Sequence, residues 1–526
     1  MTRPISDMVR GDLRGAPTQV ERSRPPAASR MDVEGTVSRP VKSDSISGQG
    51  GLSAPNTGRS AGWLPALEGL RAVAVLGVVV HHVSYLSGLT NSFSRFAGLL
   101  ARLDVGVAIF FALSGFLLYR PFALAAIHGQ SGPPVRRYLW HRALRILPGY
   151  WAMAAVGLVW LNFDYLRSVW DWAIPLLLAQ IYQPLRLPVG MEQTWSLATE
   201  ATFYLALPAI AMLGRRMGGR TPLGRARRQL ILGAVLVLAG LTWNAYAHGP
   251  DSPLPGLAVL WLPAFLDWFG IGIMLAVLAS WPASTTSSPF LAGLAGSRSG
   301  QGDDMWSTTP RGLRVFAFAP GTSWLIAGAL LWIVSTPIAG PRALEPTKSI
   351  ESVVEHLTFL LIAWCLIAPL VGPGSGGVPR ALLGHRVVQF LGRISYGIFL
   401  WHLLALEACF RLLGFTRMNS SFWVILAITL ALTIPVAAAS YYLIERPSRR
   451  LRRVGQRRGD RPGPEVVDPD SLVQAPTPVP ALQAASSAPG GHPTLAAQLV
   501  PPADPAETQH QSGDRDEEQP GRKHHK

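Results

Sequence analysis

The sequence predicts an all-α polytopic membrane protein of about ten transmembrane helices, with both termini cytoplasmic and disordered tails. Three observations carry that prediction. Of 526 residues, 49% are hydrophobic and only 15% are charged. The apolar residues gather in several runs long enough to cross about 30 Å of hydrocarbon as helices. Arginines crowd into the tails and into every second loop between those runs, the distribution that keeps basic loops on the cytoplasmic side.

Taken in order, residues 1–62 are polar, rich in Arg, Ser, Pro and Gly, and hold no apolar stretch of the kind found in a secretory signal. They read as a disordered cytoplasmic tail followed by an uncleaved first span. Residues 63–450 form the transmembrane domain, with apolar runs near 64–87, 104–127, 147–161, 194–213, 229–246, 257–280, 322–340, 355–372, 387–412 and 421–444. Basic residues precede the first run, fill the loops at 136–145, 215–228, 298–314 and 380–386, and resume at Arg446. The intervening loops, such as 247–256 and 413–420, are short and carry little positive charge. Residues 172–182 are too few to cross, and counting them as a span would throw the basic loop at 215–228 outside. They are expected to lie at the outer interface or to re-enter. Residues 281–320, with Ser, Thr, Gly and Asp, read as a long flexible loop, and 451–526 as a disordered cytoplasmic tail that cannot bury enough apolar surface to fold.

Composition also excludes several functions. The formal net charge of +16 is accounted for by topogenic arginines and tails, so no nucleic-acid partner is implied; the partner is the lipid bilayer. Cys365 and Cys409 both sit inside apolar runs, which argues against a disulfide framework, and no cluster has metal-ligand spacing. His524 and His525 belong to the composition of the tail.

The residues that could do chemistry begin on the first run. Arg71 and His82 are eleven positions apart on it, which at about 100° per residue brings both to one helix face, and at about 1.5 Å per residue separates them by roughly 16 Å in depth. His81 is about 100° off that face. A cation near one surface and a titratable base deep in the bilayer suggest a substrate path, because intramembrane charges are costly. The alternative is that Arg71 snorkels to the headgroups and His82 satisfies a neighbouring helix.

Glu200 lies about two turns into the run that opens with Gln193, Thr194, Trp195 and Ser196. Since that run goes inward where the first goes outward, Glu200 and His82 are expected at similar depth. A carboxylate there would raise the basicity of the imidazole and fix its tautomer, as general-base work on a hydroxyl requires. Glu200 in a purely structural ion pair is the competing reading. His402, reached through Ser395 and Tyr396, either joins this pair or packs a helix interior. Ser114 and Ser196 are weaker candidates for substrate hydrogen bonding, and no Gly-X-Ser-X-Gly elbow supports a serine hydrolase. Arg142 and Arg145 share a helical face and suit phosphates, although ordinary topogenic charge would place them there too.

Together these segments resemble the acyltransferase-3 family of bacterial integral membrane O-acyltransferases. The matching stretches are Leu67-Glu-Gly-Leu-Arg71 followed by His82, the GVAIFFALSGFLL of residues 106–118, the RALRILPGY of 142–150, Trp195-Ser-Leu with Glu200-Ala-Thr-Phe-Tyr204-Leu, residues 392–402, and Tyr442-Leu-Ile-Glu445-Arg-Pro447. They occur in family order over roughly residues 63–450. The resemblance implies transfer of an acyl group, usually acetyl, from acetyl-CoA or another cytoplasmic acyl-CoA to a hydroxyl of a carbohydrate, glycolipid, cell-envelope or metabolite acceptor, with no metal, in the bacterial cytoplasmic membrane. Carried over by position, the family's Arg and His of the first helix fall on Arg71 and His82 and its paired arginines on Arg142 and Arg145. That makes His82 the general base, or an acyl carrier in a two-step variant, and the three arginines donor-binding; Glu200 is its catalytic partner by the matching depth given above. Glu68, Ser114, Trp195, Ser196, Tyr204, Tyr396 and His402 are then substrate or support residues. Glu68 departs mildly, standing where the family usually has Asp or another polar residue. The best-known glycan acetylases also carry an extracytoplasmic hydrolase-like domain, whereas here the expectation is a disordered tail. The rival class is a multispanning transporter or flippase for an envelope glycan or lipid, which would also line a path with charge. A catalytically inactive scaffold is the third, against which the paired His and Glu argue.

Overall fold

A computed structural model of the protein describes residues 65–92, 96–183, 187–280, 319–340, 347–371 and 377–453. The predicted tails and most of the predicted flexible loop lie outside the described residues. Among those described, all regular structure is helical.

The first helix, α1, is Pro65–Leu86, opened by a proline that needs no N–H there and by Glu68 in its first turn, where the helix dipole favours negative charge. A short α2 (Ala97–Ala101) leads into α3 (Val105–Ile127), and α4 is Val135–Leu161. The last begins well before the predicted apolar run. The arginine-bearing stretch from Val135 is itself helical, so Arg142 and Arg145 stand on the span and not in a loop before it. The short α5 (Val169–Leu176) has eight residues, too few to cross, as the sequence reading requires. Its start is fixed by a capping box in which Ser168 and Asp171 accept from each other's backbone N–H. Those N–H donors hold the exposed Asp171 carboxyl below the usual carboxylate range.

Further along come α6 (Thr194–Arg216), α7 (Pro222–Ala247) and α8 (Leu266–Ser280), then α9 (Pro320–Val334) and α10 (Ser349–Val371). The short α11 (Val378–Leu383) precedes α12 (Arg386–Arg393), α13 (Ser395–Leu412) and α14 (Phe422–Ser440), which runs on through a π-helical turn at Tyr441–Glu445. Among the described residues, eight helices are long and apolar enough to cross a membrane, or nine if α12 and α13 count as one broken span. The remaining predicted run, 322–340, is α9, whose 15 residues reach only about 22 Å. The run at 387–412 is not one straight helix: α12 and α13 meet at a bend of 70°.

Without a strong hydrophobic force between helices inside a bilayer, close packing needs small residues. The contact of α3 with α8 shows this directly. A Cβ on Gly272 would sit inside the van der Waals radius of the Ala112 carbonyl, and one on Gly115 would strike the Phe269 carbonyl. At the other seam, Gly392 just before the bend lies against the Glu68 backbone, and Gly69 against Leu383. Gly392 thus brings α12 onto α1 beside the break in the helix, and Gly69 brings α1 onto the end of α11.

Candidate functional site

Two polar regions run through the bundle. The first is built on His82. Its Nδ1 lies 2.9 Å from the Val78 carbonyl oxygen, one turn back on α1. An acceptor so placed requires the proton on Nδ1, so Nε2 carries the lone pair. The second neighbour of that Nδ1 is Nε2 of His402, at 3.3 Å. His402 has no exposed surface, and its own Nδ1–H donates to the Phe399 carbonyl at 2.8 Å, which leaves Nε2 as the acceptor facing His82. The sequence reading left His402 open between partner and packing residue, and its ring stands 5.1 Å from that of His82. His81 turns elsewhere, donating from Nδ1 to the Ala101 carbonyl at 2.9 Å. Its departure from the Arg71 face is thus realised as an anchor for α2.

Glu200 does not hydrogen-bond to His82. Its carboxylate accepts from the Tyr204 hydroxyl at 2.6 Å, one turn further along α6, and from the Ser114 hydroxyl of α3. Through Tyr204 it belongs to the arginine side of the bundle, since Tyr204 lies in the field of Arg142 and Arg145 as well as of Glu200. Sequence depth matched Glu200 to His82, but depth does not fix azimuth, and the rotation of α6 turns the carboxylate toward α3 and α4.

The second region is a pocket at the end of the bundle that carries the basic loops. Arg71 and Arg145 line it with Glu68, Arg393, Tyr396, Glu445 and Arg449. Arg145 is in electrostatic reach of Arg71, Arg142 and Arg449. Arg71 also lies over the Phe110 ring, 5.9 Å from its centre. Arg142 is buried and acts on Tyr138 and Tyr204, so the two arginines sharing one helix face meet at Tyr204, while Arg145 alone lines the pocket. The Tyr396 hydroxyl donates to the Ile146 carbonyl at 2.8 Å and pins α13 to α4.

Trp195 and Ser196 sit apart from both regions. Trp195 stacks on Phe265 with ring centres 5.1 Å apart, and Ser196 donates to the Gln193 carbonyl within its own helix. Sequence reasoning missed Arg393, Glu445 and Arg449 as pocket residues, because they looked topogenic or like a motif without a role. It also missed a buried cluster near the opposite end of the bundle, where Arg102 pairs with Glu355 at 2.9 Å and His356 with Asp267 at 3.0 Å. Glu355 and His356 opening an apolar run were the available signal. Among the described residues no group of His, Cys, Asp and Glu could hold a metal ion.

A helical multi-pass membrane protein with a tautomer-fixed imidazole on the same helix as an arginine-lined pocket is the class that fold and geometry define. The chain belongs to the acyltransferase-3 family, whose acyltransferase domain matches residues 64–442. It is 26% identical over 404 residues to a Bacillus subtilis (strain 168) protein named "Putative peptidoglycan O-acetyltransferase YrhL", covering 74% of this chain and 55% of that one. It is 24% identical over 412 residues to the Staphylococcus aureus (strain COL) "Putative O-acetyltransferase SACOL0978", over 74% and 58% of the two chains. To the "Peptidoglycan O-acetyltransferase OatA" of Listeria monocytogenes it is 22% identical over 411 residues, over 74% and 56%. The chain thus spans little more than half the length of these relatives. No solved structure matches it.

Proposed function

We propose that the protein is an O-acyltransferase of the bacterial cytoplasmic membrane that moves an acyl group, of the acetyl class, from cytoplasmic acyl-CoA to a hydroxyl of a cell-envelope carbohydrate or related acceptor. The single observation that carries the reading is the state of His82: with Nδ1–H committed to Val78 and His402, Nε2 is left as a base without a hydrogen bond among the described residues. In this reading Nε2 takes the proton of the acceptor hydroxyl as that oxygen attacks the thioester carbonyl carbon. The carbon–sulfur bond breaks, and the imidazolium returns its proton to the departing thiolate. Developing charge on His82 is met by the Val78 carbonyl and the His402 lone pair. Arg71, Arg142 and Arg145 hold the donor phosphates at the basic end, which the charge distribution assigns to the cytoplasm. Glycan acceptors are favoured because two of the three relatives carry peptidoglycan O-acetyltransferase names.

The test uses full-length protein reconstituted in vesicles with labelled acetyl-CoA and soluble peptidoglycan fragments as the first acceptors. Acceptor-dependent release of coenzyme A together with ester formation is the expected result. Movement of an unmodified glycan across the vesicle membrane without thiol release would instead assign the protein to the transporters.

A further inference from the structure

The pocket at the basic end holds more charge than the donor reading has used. Four guanidinium groups line it, from Arg71, Arg145, Arg393 and Arg449, against two carboxylates, Glu68 and Glu445. In a settled structural network of buried ions each carboxylate oxygen would accept directly from a guanidinium, since buried charge is tolerated only when paired and hydrogen-bonded. Here the pairing is incomplete. Glu68 is 2% exposed, lies in the field of Arg393, Arg71, Arg145 and Arg449, and yet neither of its oxygens has a hydrogen-bond partner among the described residues. Glu445, also 2% exposed, reaches Arg449 only at 3.9 Å through one oxygen, and its other oxygen has none. The Nε atoms of Arg71 and Arg449 are likewise buried without a partner.

The backbone adds to the same field. The pocket sits at the 70° break between α12 and α13, and Gly392, Arg393 and Ser395 of the break line it. α13 therefore begins at the pocket, and no side chain caps its first turn. A helix N-terminus presents unpaired N–H groups and a partial positive charge. The opposite wall comes from the π-helical turn Tyr441–Glu445, a geometry that occurs mostly as a single-turn bulge in an α-helix and is frequent at functional sites. It puts Tyr441 and Glu445 on the pocket, with the Arg449 guanidinium 5.4 Å from the Tyr441 ring centre.

We propose that this pocket is a phosphate-recognition site in which Arg393 and Arg449, together with the start of α13, bind a phosphate mono- or diester, while Glu68 and Glu445 offset the guanidinium charges until that anion arrives. In the setting of the donor reading, on which the choice of ligand rests, the anion is the phosphate portion of the acyl-CoA. The same chemistry is offered by the headgroup of an anionic phospholipid, since the pocket is at the basic end of the bundle.

The experiment distinguishes the two sources. Full-length protein in nanodiscs, made once with phosphatidylcholine and once with added phosphatidylglycerol, is titrated with coenzyme A, with 3′,5′-adenosine diphosphate and with pantetheine. The variants are Arg393→Gln and Arg449→Gln, with Arg449→Lys to keep the charge and thermal unfolding to verify folding. Each charge-assisted contact removed is expected to weaken coenzyme A and the nucleotide about tenfold and to leave pantetheine unchanged, with partial recovery in Arg449→Lys. Should wild type bind no coenzyme A, while both Gln variants lose retained phosphatidylglycerol, the pocket is a phosphate site for lipid and the donor reading fails. Folded Gln variants that match wild type for both coenzyme A and phosphatidylglycerol would overturn the site itself.

Discussion

Replacing His402 by Leu isolates what the second imidazole does. The position is fully buried, and Leu fills the space with an apolar group of similar size, so packing is largely retained. What is lost is the acceptor 3.3 Å from Nδ1 of His82. A hydrogen bond to a charged group contributes about 1.5–3 kcal/mol, and this one is long, so the low end of about 1.5 kcal/mol applies. That is about tenfold in rate. The Val78 carbonyl at 2.9 Å still holds the Nδ1 proton, so the tautomer survives and the loss stops there. His82→Leu removes the base and is expected to cost roughly 100- to 10,000-fold. The assay is steady-state release of coenzyme A by purified, vesicle-reconstituted protein, with kcat and KM for the donor separated. His402→Leu should lower kcat about tenfold and leave the donor KM near wild type. A loss as large as that of His82→Leu would make His402 the proton acceptor, and an unchanged kcat would show that the contact between the rings plays no part. Either result refutes the reasoning.

Three further outcomes follow from the same geometry. Glu200→Gln keeps two acceptor lone pairs for Ser114 and Tyr204 but removes the charge that shares Tyr204 with Arg142 and Arg145, so the donor KM should change several-fold while kcat holds; a collapse of kcat at constant KM would tie Glu200 to His82 instead. Arg102→Met strands the Glu355 carboxylate of a 2.9 Å pair and should cost about 3–5 kcal/mol of stability, read as a lower melting temperature in detergent, with Arg102→Met/Glu355→Leu recovering most of it. Gly272→Ala places a methyl on the Ala112 carbonyl, and overpacking of about 1–3 kcal/mol should lower the melting temperature, whereas Gly328→Ala, with open space around it, should leave it unchanged.

Most of the fold was legible because span length and charge asymmetry are properties of composition, read without knowing any contact. The register of Arg71 with His82 was legible for a similar reason: one helix fixes both. What the sequence could not convey was the rotation of one helix against another. Glu200 faces Ser114 and Tyr204, and His402 rather than Glu200 meets His82. The bend at Ile394 was hidden as well, since residues 387–412 read as one apolar run, and Gly392 there is needed for its approach to the Glu68 backbone. Arg449 counted with the topogenic charge after Arg446 and Arg393 fell inside the apolar run 387–412, and neither reading depends on where a side chain points. α9 was read as longer than it is because Ser335 to Gly340, though partly apolar, turns into a 3₁₀ segment at Pro337–Ala339.

The central claim is that His82 removes the acceptor proton and does not bind the donor. It is tested most directly by measuring coenzyme A affinity and acyl transfer on the same preparation of folded, correctly inserted His82→Ala. The account predicts a dissociation constant like that of wild type and transfer slower by at least about 100-fold. Near-normal transfer would contradict it, and so would a loss explained entirely by weakened donor binding.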